Sequence, residues 1–230
     1  MKTIGLLGGM SWESTQSYYR ALNEGVKAAL GGLHSAKIVM VSVDFAEIEA
    51  LQHAGRWDET AVILGDAAVA VESAGADFLL ICTNTMHKVA QQVQAQIGIP
   101  LLHIADATAD VLEAHGIARV GLLGTRFTME EAFYRERLEA RGIEVLIPEQ
   151  AERDLVHRVI YEELCLGRIE QASKSAYLDI VQALARKGAQ GVILGCTEIA
   201  LLIQQADTEV PLFDTTAIHA RSAVEWALAG

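Results

Sequence analysis

No stretch of this 230-residue chain holds the roughly 18 to 20 uninterrupted apolar residues of a membrane span, although half of its residues are hydrophobic. A secretory leader is not expected either, because MKTIGLLGGMSWES carries one lysine, three glycines and a strand-like start. The expectation is a cytoplasmic protein with no membrane partner. Basic residues are in short supply: 18 lysines and arginines against 30 aspartates and glutamates leave a formal charge of −12. That sign disfavours tracking of a phosphate backbone, so nucleic acid is not an expected partner, while a local positive pocket stays open. Cysteine is sparse. Cys82, Cys165 and Cys196 lack the C-x-x-C spacing of a zinc site, and one thiol would remain if two paired. In a reducing compartment they read as free thiols. Prolines number three, and no low-complexity tract or long linker separates independent domains. The chain is long enough for one large domain or two half-sized lobes, since domains run to about 100 to 200 residues.

What is present is alternation. Short apolar runs and amphipathic helical stretches follow one another from end to end, the signature of an α/β protein with parallel sheet. Strands are expected at Thr3–Leu7, Lys37–Val43, Asp77–Cys82, Leu101–Ile104, Arg119–Leu123, Glu144–Ile147, Gly191–Leu194 and Leu212–Phe213. Met86, Val89, Ala90, Val93 and Ile97 recur at spacings of three and four, one face of a helix. Ser14 and Thr128 are candidate helix caps.

The chain also repeats itself. TIGLLGGMS (3–11) returns as RVGLLGTRFT (119–128), FLLICTNTM (78–86) as GVILGCTEI (191–199), and IPLLHIADA (99–107) as VPLFDTTAI (210–218). A period of about half the chain is too long for a solenoid and indicates two similar lobes with parallel sheets, a pseudo-twofold duplication with the active site in the cleft between them. The expected lobes are 1–103 plus 212–230, and 104–211. Loops at the carboxyl ends of parallel strands collect at one edge, where ligands bind near helix N-termini. Gly8-Gly9-Met10, Cys82-Thr83-Asn84-Thr85, Gly124-Thr125 and Cys196-Thr197-Glu198 are the loops that would line such a cleft. GLLGGM lacks the G-x-G-x-x-G spacing of a dinucleotide site.

Two acid/base groups facing each other across a small substrate suit removal of a proton from one face of a carbon and its return on the other, which is racemisation. A thiol becomes a competent base when a helix N-terminus or a cation stabilises its thiolate. Asn84, Thr85 and Thr197, with backbone N–H groups, could hold a carboxylate and stabilise enolate-like charge. Glu198 could complement a helix dipole or orient Cys196. No metal or organic cofactor is then required.

ICTNTMH and ILGCTEI resemble the paired signatures of the cofactor-independent aspartate/glutamate racemases. GLLGGMSWEST and EELCLG resemble the broad L-aspartate/glutamate racemase branch, and the similarity runs from Lys2 to the C-terminus. The resemblance implies two α/β lobes, a homodimer, an acidic amino acid as substrate, no cofactor, and a two-base mechanism with one residue from each lobe. It places Met10 and Gln52 against substrate, Gln52 standing where other members carry a basic side chain. Where many relatives have a lysine for the distal carboxylate, this chain has Cys165, with Arg168 nearby.

One departure matters. The first family motif commonly reads Cys-Asn-Thr, but here Thr83 precedes Asn84 and Cys82 lies one residue back. Neighbouring strand side chains face opposite ways, so both cannot easily serve. Spacing leaves the choice open: Gly8 to Cys82 is 74 residues and to Thr83 is 75, against 72 from Gly124 to Cys196, whereas downstream counts to Pro100 and Pro211 favour Thr83. The motif's Asn84 and Thr85 assign Thr83 and Cys196 as the catalytic pair. Cys82 and Cys165 then read as packing, since free cysteine is among the most buried residue types. Cys196 is expected to take the proton from one enantiomer readily. Thr83, relaying through water or His87, would donate to the other face and start the reverse reaction poorly. A related isomerase, decarboxylase or hydantoin racemase, or a noncatalytic dicarboxylate-binding protein, are the alternatives.

Overall fold

Seven strands, all paired in parallel, form among residues 1–229, which the computed structural model describes. They belong to two compact units, Met1–Ile104 with the segment from His219 onward, and Ala105–Ile218.

The first unit runs β1 (Ile4–Gly8), α1 (Trp12–Leu30), β2 (Ile38–Ser42), α2 (Phe45–His53), α3 (Trp57–Ser73), β3 (Phe78–Ile81), a 3₁₀ turn over Thr85–Val89 and α4 (Ala90–Gln94). Its sheet order is β2-β1-β3. β1 and β3 are buried on both faces, which is why they read as unbroken apolar runs. Phe78, Leu80 and Cys82 pack on one face with Ile4, Leu6, Tyr18 and Leu22; Leu79 and Ile81 pack on the other with Leu7, Ile48, Leu64 and Met86. Each wholly buried leucine here contributes about 2 kcal/mol. The turn after β1 requires glycine: Gly9 has φ 91°, and a Cβ there would lie 2.1 Å from the Val43 carbonyl oxygen.

The second unit contains α5 (Ile104–Ala114, starting at the end of the first unit), β4 (Arg119–Gly124), α6 (Arg126–Glu130), α7 (Ala132–Glu139), β5 (Glu144–Leu146), α8 (Gln150–Glu162), α9 (Gln171–Arg186), β6 (Val192–Gly195), α10 (Ile199–Leu202) and β7 (Leu212–Asp214). Sheet order is β5-β4-β6-β7. α11 (Thr215–Leu228) then leads back to the first unit, its start capped by Asp214 Oδ1, which accepts from the Thr216 and Ala217 N–H groups at 2.9 and 3.2 Å.

Several expectations shift. Leu101–Ile104 does not form a strand; only an isolated bridge joins Leu101 to Leu79, and helix α5 begins at Ile104. The helical face from Met86 to Ile97 is divided between the 3₁₀ turn and α4. The caps lie three residues upstream of those expected, at Ser11 and Thr125, whose side chains accept from the Ser14 and Thr128 N–H groups. The C-terminal boundary lies at 218/219 rather than 211/212, because β7 pairs with β6 and therefore belongs to the second unit; the other boundary falls after Ile104.

His219 closes the first unit. The Tyr18 hydroxyl donates to His219 Nδ1 at 2.8 Å, and His219 Nε2–H donates to the Leu102 carbonyl at 2.8 Å, with the ring wholly buried. Burial lowers its pKa from 6.5 to about 4. The unfolded chain therefore binds the proton first as pH falls. Stability should be full above pH 6.5 and decline towards pH 4, by up to about 3 kcal/mol from this group. Urea midpoints across that window should fall more steeply for the native chain than for His219→Gln.

Candidate active site

The carboxyl ends of the strands carry the motif residues. In the first sheet Gly5, Leu6 and Leu7 stand opposite Leu79, Leu80 and Ile81; in the second, Gly121, Leu122, Leu123 and Gly124 stand opposite Val192, Ile193, Leu194 and Gly195. The Cys82 N–H donates to the Leu7 carbonyl at 2.9 Å, continuing the first ladder. When the two GLLG strands are aligned, Cys82 corresponds to Gly195, Thr83 to Cys196, Asn84 to Thr197 and Thr85 to Glu198. The third repeat agrees, since Leu79 bridges Leu101 as Val192 pairs with Leu212.

In the first unit Cys82 is wholly buried among Leu6, Tyr18 and Leu80, and burial pushes its thiol far above the usual range. Thr83 is half-buried, while Asn84, Thr85 and His87 are buried. His87 Nδ1–H donates to the Thr83 carbonyl at 2.8 Å, and His87 Nε2 accepts from the Ile104 N–H at 3.2 Å. A carbonyl only accepts and a backbone N–H only donates, so the ring is the neutral Nδ1–H tautomer. The relay role expected for His87 does not fit, because both nitrogens are engaged with backbone. Lys88 lies over the Trp57 ring, 3.8 Å from its centroid. Met10 is buried in the apolar cluster with Leu7, Ile48 and Met86. Gln52 is buried too, its Nε2 donating to Met86 Sδ at 2.8 Å.

In the second unit Cys196 Sγ donates to Glu198 Oε2 at 2.9 Å, and Thr197 Oγ1 donates to the same oxygen at 2.7 Å. Thr197 and Glu198 are buried. Burial first, and then the Glu198 charge, raise the Cys196 pKa well above that of a free thiol. This reverses the expected helix-stabilised thiolate: α10 is a single turn, with little dipole to offer, and a carboxylate faces the sulfur. Cys196 is thus held as a thiol, with the Glu198 carboxylate accepting its hydrogen bond. Cys165 lies in the 3₁₀ turn Leu164–Leu166, and the Arg168 guanidinium donates to the Glu162 carbonyl. Among the described residues no group of three or more His, Cys, Asp or Glu side chains is arranged to hold a metal ion.

One participant was misread. Ser14, taken as a cap, donates its hydroxyl to the Cys82 carbonyl at 2.7 Å. The signal was a serine in line with Tyr18, Leu22 and Val26 on the buried face of α1.

Two parallel α/β units with matched motif loops describe a racemase, and the chain belongs to the Asp/Glu/hydantoin racemase family, whose model matches residues 7–223. That membership makes it an isomerase. It is 26% identical to the broad specificity amino-acid racemase RacX of Bacillus subtilis (strain 168), over 98% of both chains. A Yersinia pestis protein assigned by name only to the Asp/Glu racemases has a crystal structure with TM-score 0.92 and 57% identity, covering 99% of this chain and all of that one. The structure of an aspartate racemase homologue from Pyrococcus horikoshii OT3 matches with TM-score 0.86 and 36% identity over 99% of each chain.

Proposed function

We propose that this chain racemises aspartate or glutamate by two-base exchange of the α-proton, with Thr83 and Cys196 as the proton-carrying groups and no cofactor. The observation that carries the reading is the sheet register: a duplicated fold presents the same strand-end position twice, once as a hydroxyl and once as a thiol.

Chemically the two are unequal. To act as base, Cys196 passes its proton to Glu198, which already accepts its hydrogen bond, and the thiolate takes the α-proton. Thr83 returns a proton on the other face and takes its replacement from solvent, while Glu198 releases the proton it received to solvent. The Thr83 hydroxyl is a poor base, so it serves best as donor to a carbanion formed from the Cys196 side. Asn84, Thr85 and Thr197, with backbone N–H groups, hold the α-carboxylate as charge spreads onto it. Met10 and Gln52 bound the substrate through the same segments. Arg168 must leave the Glu162 carbonyl to meet a distal carboxylate, so recognition there is loose and the substrate range broad. The name borne by the Bacillus subtilis relative accords with that breadth. The reading includes a cytoplasmic homodimer; no helix among the described residues is long and apolar enough to cross a membrane.

Incubation with L- or D-aspartate and glutamate in D2O, followed by NMR of the α-proton and chiral chromatography, tests the proposal. Deuterium should enter the α-position of at least one acidic amino acid, with its mirror form appearing. Folded protein that exchanges neither overturns the reading.

A further inference from the structure

We propose that Ser14 and His87 are positioning residues that clamp the two peptide groups flanking Thr83, and so set where its hydroxyl stands. The inference rests on the assignment of Thr83 to the reaction.

The Cys82 carbonyl belongs to the peptide entering Thr83 and the Thr83 carbonyl to the peptide leaving it. Each accepts a hydrogen bond from a buried side chain, the first from Ser14 Oγ at 2.7 Å and the second from His87 Nδ1 at 2.8 Å. Fixing both planes fixes the φ and ψ of Thr83, and a β-branched side chain then has little freedom left at χ1. The donors stand on independent supports. Ser14 sits on α1, whose buried face packs beneath the first sheet. His87 sits in the 3₁₀ turn, and its far nitrogen accepts from Ile104, the first residue of α5. A rigid ring with a donor at one nitrogen and an acceptor at the other suits this bridge between two backbone groups.

The second unit does without the ring. Four residues after Cys196, where the register would place the counterpart of His87, stands Ala200. The difference follows the chemistry. A hydroxyl is badly matched in acidity to its task and depends on close placement, whereas the thiol has Glu198 to exchange protons with.

Ser14→Ala, His87→Gln, His87→Asn and Thr83→Ala, each checked for folding by circular dichroism and melting temperature, separate the possibilities. Asparagine at 87 retains an N–H near the place of Nδ1; glutamine reaches past it. Ser14→Ala and His87→Gln should lower kcat for inversion by about 10- to 100-fold with KM little changed, and His87→Asn should recover most of that loss. For the enantiomer presented to Cys196, α-deuteration with retained configuration should persist, so its ratio to inversion rises. General damage to the fold would lower both together. The clamp is overturned if that ratio stays unchanged in Ser14→Ala and His87→Gln, or if His87→Asn and His87→Gln lose kcat equally. If Thr83→Ala leaves inversion intact, the failure lies with the assignment of Thr83. If Thr83→Ala abolishes inversion while Ser14→Ala and His87→Gln do not, the clamp alone fails. In ¹⁵N-labelled protein, the His87 ring should show the Nδ1–H tautomer; the Nε2–H tautomer contradicts the clamp.

Discussion

Cys196→Ala is expected to lower racemisation by about 10³-fold or more, the upper range for a positioned acid/base group. Deuterium exchange should fall steeply for both enantiomers, because the thiolate is gone from one face and the hydroxyl at Thr83 on the other is a poor base. The half-buried site loses only one sulfur atom, so folding should survive and substrate affinity can be measured beside activity. Retention of exchange would remove Cys196 from the mechanism. Glu198→Gln gives a graded companion: turnover should fall because the proton acceptor of Cys196 is lost, while the thiol pKa, still raised by burial, comes down by the part due to the carboxylate charge, so the thiolate-dependent limb of the remaining pH–rate profile should move to lower pH.

The inequality of the two groups has a limit set by thermodynamics. Enantiomers are equally stable in water, so kcat/KM must be the same in both directions whatever the catalytic groups. The asymmetry therefore emerges in kcat and KM taken separately, and in exchange without inversion from the Cys196 side. A slow reverse reaction in the sense of a smaller kcat/KM is not available to any racemase.

Thr83→Ala and Cys82→Ala should diverge sharply. Thr83→Ala should reduce inversion about 10²-fold while leaving the melting temperature nearly unchanged. Cys82→Ala should leave turnover intact and cost about 1 to 2 kcal/mol of stability, because it opens a small void in a wholly buried cluster. Thr83→Cys should raise kcat in the slower direction. Chiral chromatography and denaturation midpoints measure both effects, and the opposite pattern would move the catalytic position back by one residue.

The alternation of apolar runs made the α/β class legible, and strands at Ile4, Ile38, Phe78, Arg119, Glu144, Val192 and Leu212 lie within a residue or two of where the pattern put them. Leu101–Ile104 looked equally strand-like. Nothing in its hydrophobicity reveals that the Ile104 amide is taken by His87 and opens a helix. The choice between Cys82 and Thr83 was illegible for a different reason: residue counts include loops of unequal length, whereas the ladders compare positions across a sheet, where loops do not enter. Ser11 and Ser14 are both good capping residues, and only the fold shows which hydroxyl faces inward. The protonated state of Cys196 depends on its burial and on where the Glu198 carboxylate turns, and neither is encoded in the motif's spelling.

The return of α11 to the first unit bears on the order in which the protein is made. Ala220, Ala223, Val224 and Ala227 cover the face of Ile4, Leu6, Tyr18 and Leu22, and His219 joins Tyr18 to Leu102. During synthesis β1 to β3 leave the ribosome before the second unit, yet the surface that seals them emerges after it. The half of the molecule translated earliest is thus completed only after the whole second unit has been made, and until then one apolar face of its sheet waits uncovered.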